Sequence, residues 1–233
     1  MKKLLLIIML SLFVFSTGTS WAESDESILV TEAGILVWVP SVKYSSNSNT
    51  YSPSVLAGPE AYFMLYNFFA EATYLIPFTG FDNTITNTKN SWLNLLIGYM
   101  ITPKIGLYLG YINNSKTSTV SSTTATTTNY STISGLKIGM NIFLPISPIV
   151  NFYGNGSYTF GDKTYFPNIA NSTDIINLRI SNKLLDAEGG LGFKFLKDFK
   201  LTLCWKYQVY SYSDNSAMTF SGPYGSITYI FYY

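Results

Sequence analysis

Asp186 and Glu188 stand two residues apart, and on an extended strand that spacing projects both carboxylates from one face. Paired carboxylates are what general acid–base chemistry uses when their surroundings hold one protonated and the other ionised. Glu60, Glu71, Lys137, Lys194 and Lys206 are expected on the same polar face of neighbouring strands. The chain contains no histidine, which removes the usual general base of a hydrolase. It also lacks a metal-ligand cluster, a Walker loop and a dinucleotide fingerprint, so neither a metal nor a nucleotide cofactor is expected. The simpler role for these charges is mutual pairing in a confined interior, because charge withdrawn from bulk water persists when it is paired and hydrogen-bonded. A sharper role is a polar path whose charges tune solute passage.

The elements that must hold these charges are strands. Leu201, Leu203, Trp205, Tyr207 and Val209 alternate with Thr202, Cys204, Lys206 and Gln208, a period of two with one apolar face. Leu136, Ile138, Met140, Ile142 and Leu144 oppose Lys137, Gly139, Asn141 and Phe143 in the same way. Ala187, Leu191, Phe193 and Phe195 oppose Asp186, Glu188, Gly190, Gly192 and Lys194. The charges therefore share one face with Tyr108, Phe143 and Tyr153, whose bulk narrows whatever space that face encloses.

Composition asks where so much apolar surface goes. The chain is 47% hydrophobic, 17% aromatic and 12% charged, against about 25% charged in ordinary soluble domains. Lys2 and Lys3 precede the apolar run 4–15 and the small-x-small site Ser20, Trp21, Ala22, the layout of a secretory signal peptide cleaved after Ala22. The apolar core of this leader is too short to span a bilayer as a helix. Without Lys2 and Lys3 the 14 basic residues fall to 12 against 13 acidic ones, a net charge of −1 that offers nothing to nucleic acid. The single cysteine, Cys204, cannot form an intramolecular disulfide and reads as a small strand residue.

Strand-length apolar stretches fall at 34–44, 57–76, 91–101, 105–112, 132–144, 149–160, 183–196, 200–212 and 218–233. The stretch 57–76 is too long for one crossing and is expected to turn near Asn67, giving ten strands. Eight or twelve strands also fit. Short turns at 102–104, 145–148 and 197–199 alternate with longer polar segments at 45–54, 79–90, 113–129 and 161–182. That alternation, with an even strand count, is the pattern of an all-β, antiparallel up-and-down transmembrane barrel. The expected organisation is a leader at 1–22, a short periplasmic segment at 23–33 and the barrel at 34–233. A soluble secreted β-protein would alternate too, with the apolar face inside.

The hairpin 95–111, with its Gly98-Tyr99 and Gly106-Leu107-Tyr108-Leu109-Gly110-Tyr111 runs, the segment 189–193 leading into 201–207, and the aromatic closing strand resemble the small bacterial outer-membrane β-barrels. That group includes the OmpA transmembrane domain, OmpX and the opacity-type adhesins. The resemblance implies an assembly signal on Ile227, Tyr229, Phe231 and Tyr233, recognised by the barrel-assembly machinery. It further implies insertion into outer-membrane lipid as a monomer, with long loops extracellular and both termini periplasmic. A periplasmic cell-wall-binding domain like that of full-length OmpA is not expected. The enzymatic barrels of similar architecture use a catalytic histidine, so a non-enzymatic structural or surface-interaction role with a plugged or narrow polar lumen is expected. A porin-like small-solute channel is the alternative, and adhesion through 113–129 and 161–182 a further one.

Overall fold

The computed structural model describes residues 29–44, 50–51, 54–78, 81–82, 86–121, 126–166, 178–196, 198–212 and 217–232. The expected leader 1–22 and Tyr233 lie outside the described residues. The strands are β1 (Leu29–Trp38), β2 (Ser41–Tyr44), β3 (Thr50–Tyr51), β4 (Leu56–Leu65), β5 (Phe68–Pro77), β6 (Phe81–Asp82), β7 (Thr86–Thr102), β8 (Ile105–Ser121), β9 (Thr126–Ser147), β10 (Val150–Phe166), β11 (Leu178–Leu196), β12 (Phe199–Tyr212) and β13 (Ala217–Tyr232). Ten of them pair in the order β1-β4-β5-β7-β8-β9-β10-β11-β12-β13, and β13 pairs back onto β1. Every one of these pairings is antiparallel, so the sheet closes as an up-and-down barrel with no free edge. The short β2, β3 and β6 extend the wall by pairing with β13, β2 and β7 respectively.

The turn in 57–76 falls at Tyr66-Asn67, between β4 and β5. Tyr66 adopts a φ of 53° there, a left-handed conformation taken without a glycine. One end of the barrel carries both described chain ends and the tight β4–β5, β7–β8, β9–β10 and β11–β12 turns. We call it the short-turn end, and the opposite one the long-loop end.

Two boundaries differ from expectation. The first strand begins at Leu29 rather than at residue 34, and the segment 34–44 is not one strand, since β1 stops at Trp38 and the chain resumes as β2 at Ser41. Pro40 lies in the break, where its missing N–H would interrupt a ladder. The chain is anchored around it by Val39 N donating to Pro223 O at 2.9 Å and Ser54 N donating to Pro40 O at 3.2 Å. Most of 113–129, and the flanks of 161–182, are strand rather than loop, because β8, β9, β10 and β11 run well past their apolar portions. Ser115 pairs with Thr132 and Thr119 with Thr128 in register. Threonine is β-branched and favours strands, so polarity alone misreads such a stretch as a loop.

Side chains sort by face as the alternation requires. Ile97, Leu109 and Leu136 project outward with about two thirds of their surface exposed, while Lys137, Asp186 and Gln208 are buried inside. Outward aromatics gather at two heights. Phe68 and Tyr99 meet at 5.0 Å, and Phe199 and Tyr229 at 5.0 Å, near the short-turn end. Tyr158 and Phe160 meet at 4.7 Å toward the other end, level with a band of exposed aromatics that includes Tyr111 and Tyr207. Phe199 and Tyr207 bracket about 27 Å of β12 at ~3.4 Å per residue. A strand tilt near ~40° reduces that to a height of about 21 Å, on the order of the ~25 Å apolar band of a membrane barrel. The exposed lysines among the described side chains lie toward the two rims, Lys104 at the short-turn end and Lys43, Lys89 and Lys183 toward the long-loop end, with Lys183 beside Phe160.

Candidate functional site: the occluded lumen

The interior is built in three layers. The middle layer is ionic. Lys206 Nζ lies 2.6 Å from Glu188 Oε2 and 3.4 Å from Asp186 Oδ2, and Lys137 Nζ approaches the same Asp186 oxygen at 3.4 Å. Gln208 Nε2 donates to Asp186 Oδ2 at 3.0 Å, Tyr153 Oη donates to Glu188 Oε1 at 2.7 Å, and Lys137 Nζ donates to Asn94 Oδ1 at 3.2 Å. β11 supplies both acids two residues apart and β12 supplies Lys206 and Gln208 opposite them, because Glu188 pairs with Lys206 and Asp186 with Gln208 in register. The pairing geometry is why these charges tolerate burial. Each carboxylate has a cation and a neutral donor, the condition under which a buried charge is retained.

Toward the short-turn end the layer is aromatic and apolar, with Phe69, Leu96, Met100 and Tyr108 packed against Tyr62, Met64 and Phe143. Gly139 and Gly98 make room for this layer. A Cβ at Gly139 would collide with the Tyr108 ring, and one at Gly98 with the Phe69 ring, so both rings lie flat against the wall. Tyr108 Oη donates to Asn155 Oδ1 at 2.7 Å, and Asn155 Nδ2 donates to Asn141 Oδ1 at 2.8 Å and to Tyr153 Oη at 3.3 Å, which ties the layer to the ionic one through the Tyr153–Glu188 hydrogen bond.

Toward the long-loop end the lumen is closed by apolar side chains. Trp38, Trp92, Tyr210 and Phe220 form its centre, with Trp38–Trp92 ring centroids 5.5 Å apart, Trp92–Phe220 5.4 Å and Tyr210–Phe220 5.6 Å. Tyr210 Oη accepts from Trp92 Nε1 and from Asn114 Nδ2, both at 3.2 Å. This plug corrects the expectation that apolar side chains point outward and ionisable ones inward. The ionisable ones do point inward, but large apolar side chains share the interior with them.

Between the layers lie two small cavities. One, of about 80 Å³, is lined by Glu32, Glu60, Glu71, Lys200, Tyr62 and Tyr224 among others. The other, of about 30 Å³, lies between the ionic layer and the plug.

No protein-family model and no curated protein sequence matches the chain. Its likeness to solved proteins is one of shape. The outer-membrane protease OmpT of Escherichia coli aligns with a TM-score of 0.61 at 10% identity, covering 94% of this chain and 100% of OmpT. The translocator domain of the autotransporter NalP from Neisseria meningitidis aligns with a TM-score of 0.51 at 9% identity, covering 98% and 94% of the two chains. The chain has the fold of the bacterial outer-membrane β-barrels.

Of the residues singled out in the sequence, this barrel brings Lys137, Asp186, Glu188 and Lys206 into one cluster. Glu60, on a neighbouring strand to Glu71, lines the larger cavity, whereas Glu71 lines both cavities and so borders the cluster. Lys194 stands apart at the short-turn end of β11, opposite Lys200 in register. On the closing strand, Ile227 is exposed on the outer face and Tyr229 packs on Phe199 and on Phe231, with the rings of the latter pair 4.8 Å apart. Glu32 and Lys200 also point inward, outside the set singled out in the sequence. They form an ion pair at 2.6 Å, and Thr228 Oγ1 donates to the same Glu32 oxygen at 3.2 Å. Alternation carried the signal for both, since Glu32 has the parity of Leu36 and Trp38, and Lys200 that of Thr202 and Lys206. A first strand beginning at residue 34, and a polar face of β12 beginning at Thr202, leave both outside.

Proposed function

We propose that this protein is an integral outer-membrane barrel of a Gram-negative bacterium with a structural or surface-interacting role, non-enzymatic and non-conducting. The observation that carries this reading is the stack of Trp38, Trp92, Tyr210 and Phe220 across the bore, backed by an ionic layer and a second aromatic layer in series. A small-solute channel needs a continuous wet path, and cavities of about 80 and 30 Å³ hold only a few waters each. The absence of histidine from the whole sequence supports a non-enzymatic role. The surface role rests on the β8–β9 and β10–β11 hairpins, whose strands run past the aromatic band and present segments rich in Ser, Thr and Asn on a rigid support.

In this reading the leader is removed after Ala22, and the short-turn end with both termini faces the periplasm. The barrel stands as a monomer in outer-membrane lipid. Ile227, Tyr229, Phe231 and Tyr233 serve as the signal read by the assembly machinery. Planar-bilayer recording of the refolded barrel tests the central point. The expected trace shows no conductance steps of stable size, and reproducible steps would favour the channel.

A further inference from the structure

The smaller cavity, of about 30 Å³, is bordered by Trp38 of the plug and by Asp186 and Gln208 of the ionic layer. Each of these three lining residues carries a buried polar atom with no hydrogen-bond partner among the described residues: Trp38 Nε1, Asp186 Oδ1 and Gln208 Oε1. Trp38 is wholly buried and the other two are 2% exposed, so bulk water reaches none of them. The orientation of the Gln208 amide is not arbitrary. Its Nε2 donates to Asp186 Oδ2 at 3.0 Å, which leaves Oε1 as the free acceptor. Asp186 Oδ2 is in turn occupied by Lys137 and Gln208, leaving Oδ1.

One donor and two acceptors around a void of this size match the valence of a single water molecule, which accepts from an N–H and donates twice. Buried polar groups left without partners are rare and costly, and a polar void with room for a water supplies the missing partner. A bound cation fits less well, since Lys137 and Lys206 line the same cavity and the unpartnered indole N–H of Trp38 is itself a donor. We propose that an ordered water molecule occupies this cavity, accepting from Trp38 Nε1–H and donating to Asp186 Oδ1 and Gln208 Oε1. It links the aromatic plug to the ionic layer as one hydrogen-bonded unit.

Trp92 offers an internal comparison. It packs edge to face on Trp38 with centroids 5.5 Å apart, but its own N–H goes to Tyr210 Oη. Water-selective NOE spectroscopy on the folded ¹⁵N-labelled barrel in micelles reads both indoles at once. The expected result is a water cross-peak at the Trp38 indole N–H stronger than any at Trp92. Its absence at Trp38, as a dry cavity would give, overturns the proposal, and this measurement requires no variant. Gln208→Leu removes one acceptor and fills the space, so the Trp38 cross-peak should disappear while the Trp92 resonance keeps its position. A Trp38 cross-peak undiminished in folded Gln208→Leu would overturn the assignment as well.

Discussion

Lys206 and Glu188 lock together across β11 and β12, with Nζ 2.6 Å from Oε2 between residues that pair directly in register. Both side chains are almost removed from water, at 14% and 6% exposure, and Lys206 also serves Asp186. Removing one partner of such a pair strands the other, whereas removing both avoids the uncompensated charge. Lys206→Met should therefore destabilise the barrel by about 3–5 kcal/mol. Lys206→Met combined with Glu188→Gln should recover much of that loss, because Asp186 keeps Lys137. Urea unfolding of the lipid-refolded protein, followed by tryptophan fluorescence, gives the cycle, and strictly additive single effects would show that the pair is not coupled.

The plug makes a different prediction. Phe220 is fully buried against Trp38, Trp92 and Tyr210. Truncating an aromatic in such a position costs about 3–5 kcal/mol, so Phe220→Ala should unfold at clearly lower denaturant concentration. It should not open a pore, because the ionic layer and the Phe69–Tyr108 layer still cross the bore in series. Bilayer recordings of Phe220→Ala are expected to stay silent. Stable steps from this one substitution would mean that the plug is the sole barrier, and that the molecule is built as a gated channel.

Which parts of this architecture can be read from the chain follows from the period of two. Alternation in β9, β11 and β12 is strict, so it identified the inward face of Lys137, Asp186, Glu188 and Lys206 and the outward face of Leu136, Leu203 and Trp205. The hairpin near Asn67 followed from length alone. Alternation reports only which face a residue occupies, not how high on the barrel it sits or what it meets across the bore. Tyr210 and Phe220 sit on the consecutive strands β12 and β13, but Trp38 of β1 and Trp92 of β7 lie far from them in sequence, and closure of the cylinder brings all four together. The strand extensions around Ser115 and Thr132 were illegible for another reason. Past Ser115 the sequence of β8 and the start of β9 is almost entirely Ser, Thr and Asn, so the contrast that marks a strand disappears while the ladder continues.

Tyr66 carries a local cost that can be measured. Among the described non-glycine residues only Tyr66 has a positive φ, and it is the first of the two turn residues between β4 and β5, where hairpins of this kind prefer glycine. An L-residue with a Cβ in the left-handed region loses about 1–2 kcal/mol, part of which a glycine recovers. Tyr66→Gly should raise stability by up to about 1 kcal/mol in urea unfolding, less what the exposed ring contributes at the membrane boundary. A clear loss of stability would assign that ring the larger effect.

Ile138 tests the membrane reading itself. It lies on the outer face of β9, half exposed at 49%, beside the inward-facing Lys137. In a water-soluble protein an exposed Ile138→Arg would be close to neutral, within about 0.5 kcal/mol. On the lipid-facing wall of a transmembrane barrel a charge near mid-height costs about 2–4 kcal/mol, falling toward zero near the interfaces. Lys89, exposed on β7 well above the band, marks a height where charge is already tolerated. Ser91→Arg, next to it along β7, should accordingly change stability little. Unfolding of the two variants in phospholipid vesicles should separate them by about 2 kcal/mol or more, with Ile138→Arg the weaker. Equal stabilities would mean that the outer face of β9 meets water, and the apolar band would then need a protein partner instead of lipid.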